Sequence, residues 1–576
     1  MGILAQEQRA LENIEKEIGG PIPEVTELEY YIFGYCVENE HITGLGLYTC
    51  GLNSIPDLIT SLDNLKRIYL RGNNLEKISD EFCKLSKLEI LDLSENKLSK
   101  LPESISRLKS LKQLHLESNN LNNLPESLGA LDNLEFLDLS ENNLKELPDS
   151  LNNLKKLKTL DLSGNQLRFF NEKLNSLFSL ETLYLGNNNL TELPGSIGSF
   201  SKLKRLNVRN NKLKTIFNTI GSLSSLTSLF LKGNEIENLP ESIDELRNLR
   251  YLGLKENNLK SLPEKLGSIN SLENLTLSSN NLTKIPESIG SLQSLIRLTI
   301  RDNRIKSLPE SIGDILNLKI LNLEKNDLSI LPDSIGKLKK LEILKAPRNR
   351  LQFLPKTIGS LTSLKELDLY DNLLEKIPES IGSLISLEIL DLSKNKIKSL
   401  PETIGHLSFL KEFDISNNKI TSLPESIGDL TSINTLILGF NQLKTIPRSI
   451  GALSTLEILD LGKNYITTIP ESIGSLVSLK YLYLYYNQVK FIPESIGKLL
   501  SLKYLYLGNN ELKEIPITIG KLKNLKYLFL RSNLLTDIES INSLSALKYL
   551  NIEKNNFTSF PDSIITLEER GVKVIK

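Results

Sequence analysis

A 23-residue period runs through the amino-acid sequence. The segments LKRIYLRGNNL, LEILDLSENKL and LKQLHLESNNL begin at positions 65, 88 and 111. Stepping by this period reaches asparagine in 22 of 23 repeats, from Asn73 to Asn555 with one final step of 22 residues, and reaches Cys50 in the first repeat. A single repeat cannot bury its own leucines, so the period predicts stacked coils that share one hydrophobic core.

The spacing within one repeat predicts its local structure. In LxxLxLxxN, leucines alternate with variable residues, which is typical of a strand with one buried face. The asparagine that follows, here called the ladder position, is expected to be buried and to bond backbone groups of its own turn and of the neighbouring turn. Cys50 offers only a weak donor, which a terminal repeat tolerates best. Proline follows six residues later in 19 of 23 repeats, and Pro-Glu-Ser-Ile-Gly is too short for a long helix, so we expect a single helical or 3₁₀ turn.

These features predict an α/β solenoid of about 23 repeats, a right-handed β-α superhelix. A parallel sheet would line its concave face and short turns its convex face. Residues 42–562 form the predicted array. Residues 1–41 are expected to form an N-terminal helical cap, in which the amphipathic segment EQRALENIEKEIG ends at Gly19. Residues 563–576 are expected to form a C-terminal cap.

Charge and cysteine content bound the functional class. Lys and Arg total 69 and Asp and Glu total 70, and this balance argues against a general nucleic-acid binder. The three cysteines near the N-terminus do not resemble the paired cysteines that close secreted repeat arrays. The first nineteen residues contain no apolar run of signal-peptide or membrane-spanning length. We therefore expect a cytoplasmic protein that does not bind membranes. The sequence leaves the oligomeric state open, with a monomer favoured.

The repeats resemble a known class. LSKLEILDLSENKLSKLPESISR (85–107) and LTSLKELDLYDNLLEKIPESIGS (361–383) are similar to the pattern LxxLxLxxNxLxxLPxxIGxLxxL. That pattern is found in intracellular Ras-group, Shoc2-like leucine-rich-repeat scaffolds, and similar arrays occur in bacteria and archaea. The resemblance implies a protein-interaction scaffold that binds a folded partner on its concave face. Small Ras-like GTPases and phosphatase complexes are the partner classes it suggests.

The first candidate binding group is basic. Its members lie six or two residues before ladder positions and are expected to point out of the concave face: Arg205, Arg209, Lys232, Lys255, Arg297 and Arg301. Like charges on neighbouring strands repel, and an acidic partner would relieve that repulsion. A solvated face with water-screened charges is the equally weighted alternative.

The second candidate group is an acidic column, Asp368, Asp391 and Asp414, four residues before the ladder position in three consecutive repeats. Because LDLS also recurs earlier in the chain, these aspartates are better interpreted as a default of the repeat than as a partner site. We expect the column to be open to water, and we predict no metal or acid–base chemistry there.

The third candidate group is aromatic and lies in the last four repeats. Its members occupy the outward positions of neighbouring strands: Tyr481, Tyr483, Tyr485, Tyr504, Tyr506, Tyr527 and Phe529. Exposed tyrosines are favoured at binding hot spots. The alternative is that the rings stack on one another and stabilise the end of the sheet.

Two other functional classes were weighed. An enzyme is disfavoured because His41, His115 and His406 lie far apart and no phosphate loop, metal-ligand spacing or nucleophile motif occurs. We accordingly expect no cofactor. A receptor for carbohydrate or another non-protein ligand is the alternative function, in which the tyrosine columns would stack on sugar rings.

Overall fold

The computed structural model describes residues 3–216, 218–559 and 561–576. They form two compact units that divide between Asn281 and Leu282. The predicted fold class is confirmed, because each unit consists of short parallel strands connected by 3₁₀ turns. No helix among the described residues is both long and apolar enough to cross a lipid bilayer.

The first unit begins with helix α1, Ala5–Ile18, which ends at Gly19 as the sequence indicates. Strand β1 pairs antiparallel with β2, and β2 to β12 then pair in parallel in chain order. The strands are β1 Gly34–Glu38, β2 His41–Gly46, β3 Arg67–Tyr69, β4 Ile90–Asp92, β5 Gln113–His115, β6 Phe136–Asp138, β7 Thr159–Asp161, β8 Thr182–Tyr184, β9 Arg205–Asn207, β10 Ser228–Phe230, β11 Tyr251–Gly253 and β12 Asn274–Thr276. The hairpin of β1 and β2 lies partly within residues 1–41, for which the sequence indicated only a helix.

The second unit contains strands that pair in parallel and in chain order from β13 to β25. They are β13 Arg297–Thr299, β14 Ile320–Asn322, β15 Ile343–Lys345, β16 Glu366–Asp368, β17 Ile389–Asp391, β18 Glu412–Asp414, β19 Thr435–Ile437, β20 Ile458–Asp460, β21 Tyr481–Tyr483, β22 Tyr504–Tyr506, β23 Tyr527–Phe529, β24 Tyr549–Asn551 and β25 Lys573–Ile575. Helix α2, Asp562–Glu569, precedes β25, so the C-terminal segment adds one more strand beside β24.

Short 3₁₀ turns connect most of the parallel strands, as predicted. In the first unit they are Asp57–Ser61, Phe82–Lys84, Glu103–Arg107, Glu126–Ala130, Asp149–Asn153, Gly195–Ser199, Asn218–Ser222, Glu241–Glu245 and Glu264–Ser268. In the second they are Glu287–Ser291, Glu310–Asp314, Asp333–Lys337, Lys356–Ser360, Glu379–Ser383, Glu402–His406, Glu425–Asp429, Arg448–Ala452, Glu471–Ser475, Glu494–Lys498, Ile517–Lys521 and Glu539–Ser543. Most turns follow a proline whose fixed φ suits the residue before a helical turn.

The ladder asparagines make the predicted backbone bonds. The side-chain amide of Asn395 donates to the carbonyl oxygens of Leu392 at 3.0 Å and of Leu369, in the preceding repeat, at 3.0 Å. Its carbonyl oxygen accepts the Leu374 N–H at 3.0 Å. Asn142 and other ladder asparagines repeat this arrangement. Each asparagine therefore joins two successive repeats through buried polar groups.

Cys50 departs from this arrangement as the sequence suggested. Its thiol donates only to the Tyr48 carbonyl oxygen, at 3.5 Å. A ladder asparagine accepts an N–H from the repeat before it, and Cys50 belongs to the first repeat. The thiol therefore replaces a side chain that would have had no earlier repeat to join.

Candidate binding surface

The strand face is the surface formed by the side chains six, four and two residues before each ladder position. In β21, Leu482 is fully buried, whereas Tyr481 and Tyr483 on either side of it are half-buried. In β9, Leu206 is fully buried and Arg205 is exposed. The alternation within each strand therefore turns the candidate residues outward and the leucines inward.

The aromatic ring of Phe230 contacts two arginines of the first unit. The guanidinium carbon of Arg209 lies 4.4 Å from the Phe230 ring centroid, and that of Arg205 lies 5.6 Å from it. Phe230 also packs against Tyr251, with ring centroids 4.7 Å apart. Cation–π contact holds both guanidinium groups beside one ring. Phe230 is not among the residues predicted from the sequence, because the charge pattern of this part of the sheet does not mark an aromatic residue.

The lysines of the basic group share one carboxylate. Lys232 Nζ lies 3.4 Å from Glu256 Oε2, and Lys255 Nζ lies 3.0 Å from Glu256 Oε1. The hydrogen bond from Lys255 lowers the pKa of Glu256. The repulsion expected from the sequence is thus partly relieved within the chain, while the two arginines add further positive charge. We call Arg205, Arg209, Lys232 and Lys255, with Phe230, the basic cluster.

The remaining two arginines of the basic group belong to the second unit. Arg297 is exposed at the start of β13. Arg301 Nε lies 3.3 Å from Glu324 Oε2, which is a local ion pair. These two residues are therefore not part of the basic cluster.

The aspartate column has a local role in the backbone. Each carboxylate accepts the N–H of the residue two positions later, at 2.8 Å for Asp391 and Asp414 and at 3.1 Å for Asp368. Asn207 and Asn322 occupy the same position in other repeats and accept the corresponding N–H at 3.2 and 2.9 Å. This bond turns the chain at the end of a strand, so a ligand is not required to account for the column.

The same column is less open to water than the sequence suggested. Burial raises the pKa of Asp368 to about 6. Burial also raises the pKa of Asp414. Burial is the main cause, and the carboxylate of Asp391, paired in register with both residues, raises both pKa values further.

Asp368→Asn is expected to stabilise the protein at pH 7.5. The folded-state pKa of Asp368, about 6, lies above the ordinary value of 3.8 for an aspartate, so the native state holds this proton more tightly than the unfolded chain. The stabilising contribution of the protonated Asp368 carboxyl to the folded state is therefore present below about pH 4. This contribution is lost as the pH rises from about 4 through 6. Asparagine keeps the backbone bond, as at Asn322, and removes the charge. After a discount for solvent screening of this half-buried group, the gain is about 1 kcal/mol.

Thermal unfolding midpoints at pH 4.5 and 7.5 would check this expectation. The matched control is Asp371→Asn, an exposed position in the same repeat. The Asp368 variant should gain over wild type mainly at pH 7.5. An equal gain for both variants, or none for Asp368→Asn, would contradict the assignment.

The tyrosines of the last repeats form two stacks. Ring centroids of Tyr481 and Tyr504 lie 4.7 Å apart, and those of Tyr504 and Tyr527 lie 4.6 Å apart with an interplanar angle of 3°. In the second stack, Tyr506 lies 4.7 Å from Tyr483 and 4.3 Å from Phe529. The interior rings therefore have neighbours on both faces, and only their edges and hydroxyl groups point to solvent. This arrangement leaves Tyr504 and Tyr506 no open face on which a sugar ring could stack.

Tyr485 lies beside the second stack and covers a glycine. Its ring meets that of Tyr483 edge to face at 6.4 Å. A Cβ at Gly462 would lie 2.4 Å from the Tyr485 ring. Tyr485 is thus seated on the neighbouring strand, and it is a packed part of the aromatic surface.

An N-terminal loop covers part of the strand face in the first unit, which the sequence did not predict. The Tyr30 hydroxyl lies 2.8 Å from His115 Nε2, and the Tyr30 ring meets Tyr69 edge to face at 5.2 Å. The guanidinium carbon of Arg71 lies 5.5 Å from the Tyr31 ring centroid. Burial raises the pKa of Tyr30 to about 12 and lowers the pKa of His115, so a neutral phenol lies beside a neutral imidazole. The strands from β3 to β5 are therefore less accessible than those that follow.

Family models match most of the chain. One described as a leucine-rich repeat region matches residues 232–304, 297–378, 371–469 and 470–569. A second, leucine rich repeat, matches residues 63–121, 114–167, 178–236 and 201–259.

The chain belongs to the leucine-rich-repeat family.

Solved leucine-rich-repeat structures resemble this protein over nearly its whole length. The plant peptide hormone receptor RGFR1, in complex with RGF2, is 29% identical with a TM-score of 0.65, and the match covers 92% of this chain and 90% of that one. The Arabidopsis receptor kinase HAESA, in complex with the peptide hormone IDA and the co-receptor SERK1, is 26% identical with a TM-score of 0.65. That match covers 99% of this chain and 95% of HAESA.

A curated relative matches a short stretch of the leucine-rich-repeat array. The probable serine/threonine-protein kinase roco9 of Dictyostelium discoideum is 40% identical over 63 residues. The match spans 11% of this chain and 2% of the kinase. It therefore concerns the repeats alone.

Proposed function

We propose that this leucine-rich-repeat protein is a non-catalytic interaction scaffold that binds a folded partner protein on its strand face. The observation that carries the proposal is the difference between the two sides of each strand. Inward positions such as Leu206, Leu229 and Leu252 are aliphatic and fully buried. Outward positions change in charge and size from repeat to repeat. Core packing explains the inward residues. It does not constrain the outward residues, which are therefore free to recognise a partner.

The similar solved structures support the general part of this proposal, namely that the ligand is a peptide or a protein. RGFR1 and HAESA were solved with peptide hormones, and HAESA also with a co-receptor protein. The sequence resemblance to Ras-group scaffolds suggests a narrower class, and we propose a small Ras-like GTPase, in the cytoplasm, as the partner to test first.

The basic cluster is the part of the first unit best suited to an acidic partner surface. Arginine and aromatic residues are enriched at binding hot spots. Because Phe230 already positions Arg205 and Arg209, less side-chain entropy is lost when a partner binds. The lysines nearby extend the positive surface and would speed association with an acidic partner.

Reversing charge in the basic cluster is expected to weaken binding of such a GTPase about 30-fold, which corresponds to roughly 2 kcal/mol. The test variant is Arg209→Glu with Lys232→Glu. Affinity would be measured by calorimetric titration with purified Ras-like GTPases, each loaded with GDP or with a non-hydrolysable GTP analogue.

The matched control is Lys212→Glu with Lys214→Glu, which makes the same change in net charge at exposed positions beyond the ladder asparagine. The control should bind like wild type. If no GTPase binds the wild-type chain, this partner class is rejected. If the control loses affinity and the test variant does not, the basic cluster is the wrong surface.

A further inference from the structure

The residue seven positions before each ladder asparagine lies where a strand begins, and we call these residues the edge column. Across much of the array the edge column alternates in charge between neighbouring strands. Its ion pairs in the first unit include Lys112–Glu89, Lys158–Glu135 and Lys204–Glu181, at 2.7–2.8 Å. Those in the second unit include Lys365–Glu342, Lys411–Glu388 and Lys480–Glu457, at 2.6–2.9 Å. Each of these lysines thus pairs with the glutamate of the edge column in the preceding repeat.

This alternation ends after Lys480. The next three residues of the edge column are Lys503, Lys526 and Lys548, which directly precede β22, β23 and β24. Throughout the part of the chain that the structure describes, no carboxylate oxygen lies within 4.0 Å of their ammonium groups. Like charges on adjacent strands are destabilising. The stability of the sheet therefore does not explain this run.

Each of these lysines is followed directly by a tyrosine, namely Tyr504, Tyr527 and Tyr549. Tyr504 and Tyr527 are stacked face to face, so their ring edges point outward. The edge of an aromatic ring carries the positive part of its quadrupole, and the phenol is a hydrogen-bond donor. A phenol is protonated at neutral pH, and burial raises the pKa of Tyr504 further. Ammonium groups, ring edges and hydroxyl groups all favour an anionic partner.

We propose that these three lysines and three tyrosines, the tyrosine–lysine strip, bind an acidic segment of a partner protein. The inference rests on the proposed function, because it assigns a protein ligand to the strand face. Carboxylates on one side of a helix recur about every 5.4 Å, close to the strand separation of about 4.8 Å that spaces the lysines. Alternate residues of an extended chain recur about every 6.6 Å and match less well. Single-stranded nucleic acid stacks its bases on open aromatic faces, which neighbouring rings cover here.

The test uses the full-length chain and a synthetic probe. The probe is a fluorescein-labelled, alanine-rich helical peptide with one glutamate per turn, and the same peptide with glutamine at those positions is its control. Fluorescence anisotropy at low salt should detect binding of the glutamate peptide and at least tenfold weaker binding of the glutamine peptide. Because the contact is electrostatic, affinity should fall as salt is added.

Variants of the chain locate the site. Lys503→Glu with Lys526→Glu should weaken binding of the glutamate peptide at least tenfold. Lys490→Glu with Lys513→Glu makes the same charge change at exposed positions three residues after the ladder asparagines of two adjacent repeats, and should bind like wild type. Tyr504→Phe with Tyr527→Phe keeps the stacked rings and removes two hydrogen-bond donors. We expect this variant to bind the glutamate peptide roughly threefold more weakly. Circular dichroism would confirm that each variant is folded.

Other outcomes overturn the inference. Absence of glutamate-peptide binding would do so, as would equal affinities for the two lysine variants. The strip would be assigned to another polyanion if an RNA oligonucleotide or a heparin oligosaccharide bound more tightly than the peptide and if Lys503→Glu with Lys526→Glu abolished that binding. Failure here is distinguishable from failure of the proposed function, which is measured at the basic cluster of the other unit.

Discussion

Replacing Asn395 with alanine is expected to lower the local free energy of unfolding by about 2–4 kcal/mol. The substitution leaves the Leu374 N–H buried without the acceptor that now lies 3.0 Å away. The carbonyl oxygen of Leu369 loses one donor and keeps another, from Asn372, at 3.0 Å. The unpaired N–H therefore dominates the loss. A cavity where the amide was adds to it.

Native-state hydrogen exchange is the suitable measurement, because long repeat arrays do not unfold in a single two-state step. Amides in the repeats on either side of Asn395 should lose protection, and the Leu374 amide should lose the most. Asn434→Ala, at a half-buried position at the start of a strand, is the matched control and should change protection little. Equal effects at both sites would show that the ladder bonds do not hold the repeats together.

Replacing Gly359 with alanine is expected to destabilise the stacked 3₁₀ turns by about 3 kcal/mol. A Cβ at this position would lie 2.1 Å from the carbonyl oxygen of Ser380, on the next turn. The obstacle is backbone, so it cannot rotate aside as a flexible side chain could. The turns would have to separate, and the buried leucines beneath them would lose contact.

Gly195→Ala is the matched control for the glycine substitution. Gly195 begins a 3₁₀ turn, and among the described residues no atom lies within 4 Å of the site of its Cβ. Urea unfolding followed by circular dichroism should show an earlier transition for Gly359→Ala and little change for Gly195→Ala. A Gly359 variant as stable as wild type would mean that the turns are not closely stacked.

Much of the fold follows from the sequence because one local pattern repeats. The spacing LxxLxLxxN determines which residues face inward, and it correctly placed Leu482 in the core and Tyr481 on the surface. The asparagine bonds and the 3₁₀ turns could also be predicted, since each depends on residues of adjacent repeats alone. These features require no knowledge of contacts distant in the chain.

The details of the surface could not be predicted in the same way. Tyr30 reaches His115 from a loop outside the repeats, and no period relates the two. Lys232 and Lys255 converge on Glu256, which lies outside the three columns that the pattern marks as outward. The alternation of Lys and Glu in the edge column is visible in the sequence, but its meaning depends on ion pairs between strands. Whether any of the candidate residues bind a partner remains a prediction.

The backward-reaching bonds of the ladder asparagines have a consequence for how such a protein can change over time. Every coil offers the next one the same carbonyl and N–H groups, so a whole period can be duplicated or lost without leaving an unmatched junction. Each such event would shift every later surface residue by one strand spacing, about 4.8 Å. Gene length could thereby tune the distance between two recognition sites without redesigning either.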